Sequence, residues 1–383
     1  MTPALRLLAV NMALDPVSGG GTAVRTVELS RALAQRGAAC TILTTRRGLD
    51  AQLRARLAGV RIVTLPSAGG RHRIPVAGLG RLQRSVRDCD LLLLTNHWTP
   101  INALAYWAAR AAGKPYLVCP AGALPFFGRS RLLKQAYNAV VGHRIVRDAA
   151  GWIAIAPNEL EHFQGYGVRP DGVTLIPNGV WPPGGSPDAA AFRRAHGLGE
   201  APVLLFLGRL APIKGPDLLL EAFARCRELS VWRLVLAGQD EGLSAKLRRR
   251  VEEHDLADRV HFVGFLDDAA KADALAACAA VAIPSRQEAM SLVVLEAGAA
   301  GRPVLLTDRC GFPQVTEVGG GWVVPATVEG LEAGLRAAAA DGPQLAARGV
   351  ALQRFVLDTY GWPRIADLHL ELFRSVLGRR AAA

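Results

Sequence analysis

The stretch PVLLFLGRLAPIKGPDLLLEAF, residues 202–223, decides the fold. An unbroken apolar run ends at a glycine. A short turn carrying Arg209 and Lys214 follows, and the chain then enters a leucine-rich helical segment. A buried strand feeding a helix through a cationic turn is half of a βαβ unit on a parallel sheet. Such sheets bind ligands beyond the carboxyl ends of their strands, which is where this turn would lie.

The same alternation continues toward the C-terminus through WRLVLAG (232–238), RVHFVGF (259–265), AAVAIP (279–284), RPVLLT (302–307) and GWVVP (321–325), with helical segments between them. Toward the N-terminus it is met again in LRLLAV (5–10), ACTILTT (39–45), VRIVTLP (60–66), DLLLLTN (90–96), PYLVCP (115–120), WIAIAP (152–157) and VTLIPN (173–178). Between the two series, WPPGGSPDA (181–189) is rich in Pro and Gly and has no apolar period, so it reads as a linker. The expected organisation is two Rossmann-like, doubly wound α/β domains facing a central cleft. The first spans 1–180, a linker 181–190 and the second 191–358. A terminal helical segment, 359–383, is expected to pack back across the junction, with Pro363 near its start.

Three segments carry chemical content. SGGG (18–21) lies after the first strand and before a helical run, so Gly20 and Gly21 allow close approach of a ligand to a helix N-terminus. The segment lacks both G-x-G-x-x-G and the Walker lysine, so it specifies neither NAD nor ATP. In 206–223, Arg209 offers a planar fork of donors and Lys214 a mobile point charge, a pair suited to a diphosphate. Such cations act most strongly on a leaving diphosphate, where negative charge grows as the bond to the sugar breaks. In IPSRQEAMSLVVLEAGAAGRPV (283–304), Glu288 follows a strand and Glu296 comes eight residues later. If the helix starts early, two turns put both acids on one side. Glu296 then suits sugar or ribose hydroxyls, and Glu288 the donor sugar or positive character at its anomeric carbon. His97, in TNHWTP, follows another strand and reads as a hydrogen-bond donor, a base or a structural residue.

The composition excludes several classes. Hydrophobic residues make up 50% of the 383, enough for two cores, while aromatics are only 6%, so packing must rest on aliphatic side chains. The six cysteines form no C-x-x-C pair and sit mostly in apolar runs, as buried thiols of a reducing compartment do. There is no long apolar leader and no stretch of the ~20 apolar residues that a spanning helix needs, so a cytoplasmic protein is expected. Neither zinc spacing, H-E-x-x-H nor G-x-S-x-G occurs, so no metal site is expected.

Charge is unevenly placed. Residues 1–185 hold 22 Lys/Arg and 9 Asp/Glu, and residues 186–383 hold 23 and 24, so the whole net charge of +12 belongs to the first half. Such a field draws anionic substrates or an anionic membrane surface. No nucleic-acid partner is expected, because no zinc finger or compact basic-aromatic module accompanies the charge.

Together, GGGTAVRTVELSRALAQRG, IPNGV, GRLAPIKGPDLLLEAF and PSRQEAMSLVVLEAGAAGRPV make nearly the whole chain resemble the retaining glycosyltransferases of family 4, which have the GT-B fold. The most specific match is the pair of glutamates separated by seven residues. The resemblance implies a C-terminal domain that binds a nucleotide sugar and an N-terminal domain that binds the acceptor. Arg209 and Lys214 would hold the diphosphate, Glu296 the ribose, and Glu288 would lie beside the transferred sugar. Met290 and Ser291 stand where the family commonly has Phe-Gly and would contact the sugar through backbone groups. Gly20 and Gly21 would approach the phosphates. No cofactor is implied beyond a UDP- or GDP-sugar donor, and catalysis would need no metal.

GALPFFGRSRLLKQAYN resembles branches that build cell-surface polysaccharides, which implies a saccharide or isoprenoid-diphosphate-linked acceptor at the inner face of the cell membrane. One departure stands out: Pro120-Ala121-Gly122 replaces the family's Pro-His-Gly, so the histidine that faces the reacting centre is absent. His97 is a spatial substitute in this reading. The departure keeps open a catalytically silent nucleotide-sugar-binding partner subunit. Epimerisation and phosphorolysis are the enzymatic alternatives on the same fold.

Overall fold

The computed structural model describes residues 4–46, 48–70, 73–125 and 131–381. The chain divides into two compact units, residues 1–179 with 362–383, and residues 180–361. Each is built on one parallel sheet.

In the first unit the strands are β1 (Arg6–Val10), β2 (Ala39–Thr45), β3 (Arg61–Leu65), β6 (Leu91–Thr95), β7 (Tyr116–Cys119), β8 (Gly151–Ala154) and β9 (Val173–Leu175), in the order β3-β2-β1-β6-β7-β8-β9. The order reverses direction between β1 and β6, which pair in parallel from Leu7 opposite Leu91 to Val10 opposite Leu94. Crossovers leave the sheet on opposite faces there, so a crevice opens beyond the strand ends. The segment 18–21 follows β1 and His97 follows β6, so both sit at this switch point. A two-stranded antiparallel hairpin, β4 (Ser67–Ala68) with β5 (Ile74–Pro75), lies after β3. Two-residue strands leave no periodic signal in sequence, and the hairpin was not anticipated.

In the second unit the strands are β10 (Val203–Leu207), β11 (Arg233–Ala237), β12 (Val260–Gly264), β13 (Ala280–Ile283), β14 (Val304–Thr307) and β15 (Gly321–Val324), in the order β12-β11-β10-β13-β14-β15. The switch point is between β10 and β13, which pair from Leu204 opposite Ala280 to Phe206 opposite Ala282. All thirteen strand segments read from the sequence therefore form the two parallel sheets.

The central strands are buried on both faces, which is why they read as continuous apolar runs rather than as alternation. β6 is LLLLT and β10 is VLLFL, with every residue of β6 buried. The cores are chiefly aliphatic, as the shortage of aromatics requires; Leu8, Leu92, Leu94 and Ile101 are typical of one, Leu204, Leu219, Leu234 and Leu236 of the other. All six cysteines are buried and unpaired.

The C-terminal helix Trp362–Ala381 belongs to the first unit and carries Pro363 in its first turn. It packs on the helix Pro16–Gln35. The contact centres on Arg25, a guanidinium only 2% exposed. Arg25 donates to the carbonyls of Ile176 (3.2 Å) and Pro177 (3.0 Å) and to Asn178 Oδ1 (2.8 Å), and lies 3.2 Å from His369 Nε2. A buried cation is tolerated only when its donors are satisfied, and here two carbonyls and an amide oxygen do so. Burial, with Arg25 beside it, lowers the His369 pKa to about 3. The imidazole is thus neutral, donating through Nδ1 to Ile365 O (2.7 Å) and accepting from Arg25 through Nε2.

Candidate functional site

The second unit brings its chemistry to the β10/β13 switch point. Because these strands are adjacent and parallel, the loops that follow them leave side by side. The loop after β10 carries Arg209 and Lys214 and ends at Gly215, which precedes the helix Pro216–Arg225. Gly215 has φ +69°, and a Cβ there would stand 2.0 Å from the carbonyl oxygen of Pro284 in the neighbouring loop. Only glycine permits both the left-handed backbone and this approach.

Across that approach Lys214 meets Glu288, with Nζ 3.0 Å from Oε1. Ser285 Oγ donates to the same carboxylate oxygen at 2.5 Å. The Glu288 side chain is 11% exposed, so the pair is largely removed from water. A strut holds the two loops together: Arg286 donates from both terminal nitrogens to the two oxygens of Asp217 (2.8 Å each) and also to the Pro212 carbonyl. The Arg286 amide donates to Ile213 O at 2.8 Å. Burial pushes the Asp217 pKa up, but the guanidinium outweighs it and holds the carboxyl below its usual range. Nothing in the sequence couples positions 217 and 286; the pairing exists because β10 and β13 are neighbours.

The remaining acids and cations stand apart from this pair. Arg209 forks onto Glu241 (2.6 and 2.8 Å), and both side chains are well exposed. Glu296 accepts from Lys271 Nζ at 2.7 Å, on the helix Asp268–Ala277. Burial acts to lower the Lys271 pKa, but Glu296 and Asp268 outweigh it and raise it. Arg209 and Lys214 thus each hold a separate carboxylate. The helix after β13 runs Leu292–Ala299, so Glu288 does not share a helical face with Glu296. Residues 284–291 instead form a loop pinned by Glu288 N–H to Arg309 O (2.8 Å) and Ser291 N–H to Cys310 O (3.2 Å).

That loop delivers Ser291 to the N-cap of the helix, but its hydroxyl does not cap it. Ser291 Oγ is fully buried and has no hydrogen-bond partner among the described residues. Met290, beside it, is buried as well. Uncapped first-turn amides and the positive end of the helix dipole thus accompany Lys214 at one end of one sheet, an arrangement suited to a phosphate oxyanion.

In the first unit, Asp15 caps the helix Pro16–Gln35 by accepting from Ser18 N–H at 2.8 Å. Gly20, at φ +57° and ψ −148°, interrupts that helix, and Gly21 follows on its exposed side. A Cβ on Gly20 would meet nothing within 4 Å, so the dihedral, not crowding, requires glycine, and space lies open beside the backbone. His97 is 2% exposed. Its Nε2 lies 3.0 Å from Asn138 Oδ1, and the rings of Trp98, Tyr137 and Tyr166 meet it edge-on. Burial lowers its pKa to about 4, so it is neutral near pH 7. Ala121 has a left-handed backbone, φ +50°, and the next amide, Gly122 N–H, donates to the buried carboxylate of Glu159. Among the described residues no group of three His, Cys, Asp or Glu side chains is placed to hold a metal ion.

Comparison with known proteins matches both units. Residues 20–179 fit the glycosyl transferase 4-like domain, and residues 188–349 the glycosyl transferases group 1. The chain is 29% identical to a D-inositol 3-phosphate glycosyltransferase of Kineococcus radiotolerans, over 95% of this chain and 92% of that one. It is 26% identical to the mannosylfructose-phosphate synthase of Agrobacterium fabrum, over 80% and 75%. In fold it is similar to the crystal structure of Anabaena Alr3699/HepE in complex with UDP and glucose, with a TM-score of 0.79 at 20% identity, covering 97% of this chain and 100% of that one. With both sheets, their switch points and the two family matches in agreement, the chain belongs to the GT-B-fold glycosyltransferases related to family 4.

Proposed function

We propose that this glycosyltransferase takes its sugar from UDP, binds that donor in the second unit, and transfers with retention to a hydroxyl of a saccharide or lipid-linked acceptor held by the first. The observation that carries the reading is the β10/β13 switch point, where Lys214 and Glu288 face each other at 3.0 Å beside an uncapped helix and a buried, unpartnered Ser291 hydroxyl. In this reading the diphosphate enters between Lys214 and the helix amides. Arg209 leaves the exposed Glu241 to join it, a small cost because exposed ion pairs contribute about 0–1 kcal/mol. These donors are fixed before reaction and oppose the charge that grows on the leaving diphosphate.

Glu296 accepts from the ribose hydroxyls, with Lys271 holding its carboxylate in place. Glu288 lies beside the transferred sugar, where a carboxylate stabilises positive character at the anomeric carbon. Backbone groups at Met290 and Ser291 contact that sugar. The exposed backbone of Gly20 and Gly21 is assigned to phosphate contact. His97, neutral and buried, serves as a hydrogen-bonding group and not as a titrating acid. UDP is favoured over GDP by the likeness to Alr3699/HepE, solved with UDP and glucose. Two relatives are named for phosphorylated compounds, and phosphorylated acceptors therefore enter the reading.

The excess of 13 positive charges in residues 1–185 (22 basic against 9 acidic) supports a peripheral station on an anionic membrane from the cytoplasmic side. No helix among the described residues is long and apolar enough to cross a membrane. The test is a panel of UDP- and GDP-sugars incubated with membrane lipid extract and with sugar phosphates, read by product mass. A product heavier by one sugar residue, formed from a UDP-sugar, is expected. Isomerised donor, sugar phosphate released by phosphorolysis, or no turnover from any donor would reject the assignment.

A further inference from the structure

We infer that the first unit holds a binding site for the phosphate group of a phosphorylated acceptor, built around Arg46 and Arg73. The inference rests on the donor and acceptor reading above and gives its acceptor a chemical class.

A cavity of about 340 Å³ lies at the carboxyl ends of β2 and β3, lined by Arg46, Pro66, Ser67, Ala68, Gly70 and Arg73. This is the end of the sheet at which doubly wound domains take ligands. The size is at the small end for ligand pockets and fits one compact polar group rather than an extended chain. Arg46 follows directly on β2, its amide bonded to Leu65 O at 3.2 Å, so the end of β3 fixes its backbone while its side chain stays exposed. The opposing wall is the β4–β5 hairpin.

Arg73 is a different kind of cation. It is 5% exposed and its backbone is left-handed, at φ +43°. A non-glycine residue is held in that conformation only where the surroundings determine it. Its guanidinium donates to Ser18 Oγ at 2.5 Å and reaches Asp15 Oδ2 at 3.4 Å and Thr45 Oγ1 at 3.5 Å. The cation is thereby tied to the start of the Pro16–Gln35 helix, two residues before Gly20. Asp15 lies beside Arg73, and the exposed Arg46 brings a second positive charge to the same wall. Arg46, Arg73 and Ser67 line the same cavity, and together they offer more donors than a single planar fork, which suits the several oxygens of a tetrahedral phosphate. A planar carboxylate would satisfy one fork only.

The experiment titrates glucose 6-phosphate, inorganic phosphate, glucose and glucuronate into the full chain, with phosphatidic acid vesicles as the lipid-borne arm. It is run in the Lys214→Ala background as well, so that binding at the donor site is weakened and can be told apart. Saturable binding of the phosphate probes, at least tenfold tighter than glucose or glucuronate and retained in Lys214→Ala, is expected. Arg46→Gln and Arg73→Gln should each weaken it at least tenfold while UDP affinity stays that of the wild type. Should Arg73→Gln fail to fold, Arg46→Gln decides alone. Arg46-dependent binding in the soluble arm assigns the phosphate to a free acceptor, and in the vesicle arm only to a lipid-borne one. Absence of Arg46-dependent binding in both arms, or glucuronate bound as tightly as glucose 6-phosphate, overturns the inference. Failure of the wild type to bind UDP is a separate result that sinks the donor reading.

Discussion

Replacing Arg286 by Gln removes the strut that joins the loops after β10 and β13 without touching Lys214 or Glu288. Two bonds of 2.8 Å to Asp217 and the bond to the Pro212 carbonyl are lost, while the Arg286 amide still holds Ile213 O. The Arg286 side chain is 37% exposed and Asp217 28%, so solvent screens much of the attraction and the loss of stability is about 1 kcal/mol. Asp217 keeps a favourable place in the first turn of its helix. The melting temperature should fall by only about 2–4 °C. The effect on turnover is set by position instead. Lys214 lies two residues beyond Pro212, and displacement of a reacting constellation by 1 Å costs up to about 100-fold. Release of UDP from the UDP-sugar donor should therefore slow about 10- to 100-fold in kcat/KM, alongside a near-native melting curve. Arg225→Gln, which breaks exposed pairs to Glu221 and Glu329 on the outer side of the same helix, should change neither quantity. Wild-type turnover in Arg286→Gln, or a collapse in melting temperature that accounts for the lost activity, would refute the strut.

Acid should unfold the first unit before it disturbs the second. The folded-state pKa of His369 is depressed to about 3 and that of His97 to about 4, so between these values and about 6.5 the unfolded chain binds protons that the folded chain refuses. The stability from each is complete above pH 6.5 and falls as pH drops, by about 2 kcal/mol per histidine at pH 5. Urea unfolding followed from pH 7.5 to 5 checks this, and His369→Gln, which keeps an acceptor for Arg25, should remove about half of the slope. If Glu296 takes the ribose hydroxyls as proposed, Lys271→Met should weaken UDP several-fold and 2′-deoxy-UDP less, since Lys271 holds that carboxylate; equal losses for both ligands would detach Lys271 from ribose recognition.

The fold was legible because its signals are local and repeated. Every sheet strand but those of the β4–β5 hairpin announced itself as a short apolar run, and the Pro/Gly stretch after Asn178 marked where one series stops. The strand ends were legible for the same reason, so Lys214 and Glu288 were both placed on loops at the correct end of the sheet. Their pairing depends on β10 lying against β13, a long-range fact that spacing along the chain does not carry. Arg286 with Asp217, Lys271 with Glu296 and Arg73 with Ser18 were hidden likewise: each partner is an ordinary polar residue until the topology brings the other to it. The early helix start that would have aligned Glu288 with Glu296 failed because Glu288 N–H and Ser291 N–H bond to the loop after β14 instead of opening a helix.

The nucleotide diphosphate is proposed to lie at the β10/β13 end of the second unit. Calorimetric titration of UDP into the wild type, Lys214→Ala and Glu296→Ala tests that placement most directly. Each variant deletes a charged hydrogen-bonding partner worth about 1.5–3 kcal/mol, so affinity should fall roughly tenfold or more in both. Three equal affinities, with all three proteins folded, would place the nucleotide elsewhere.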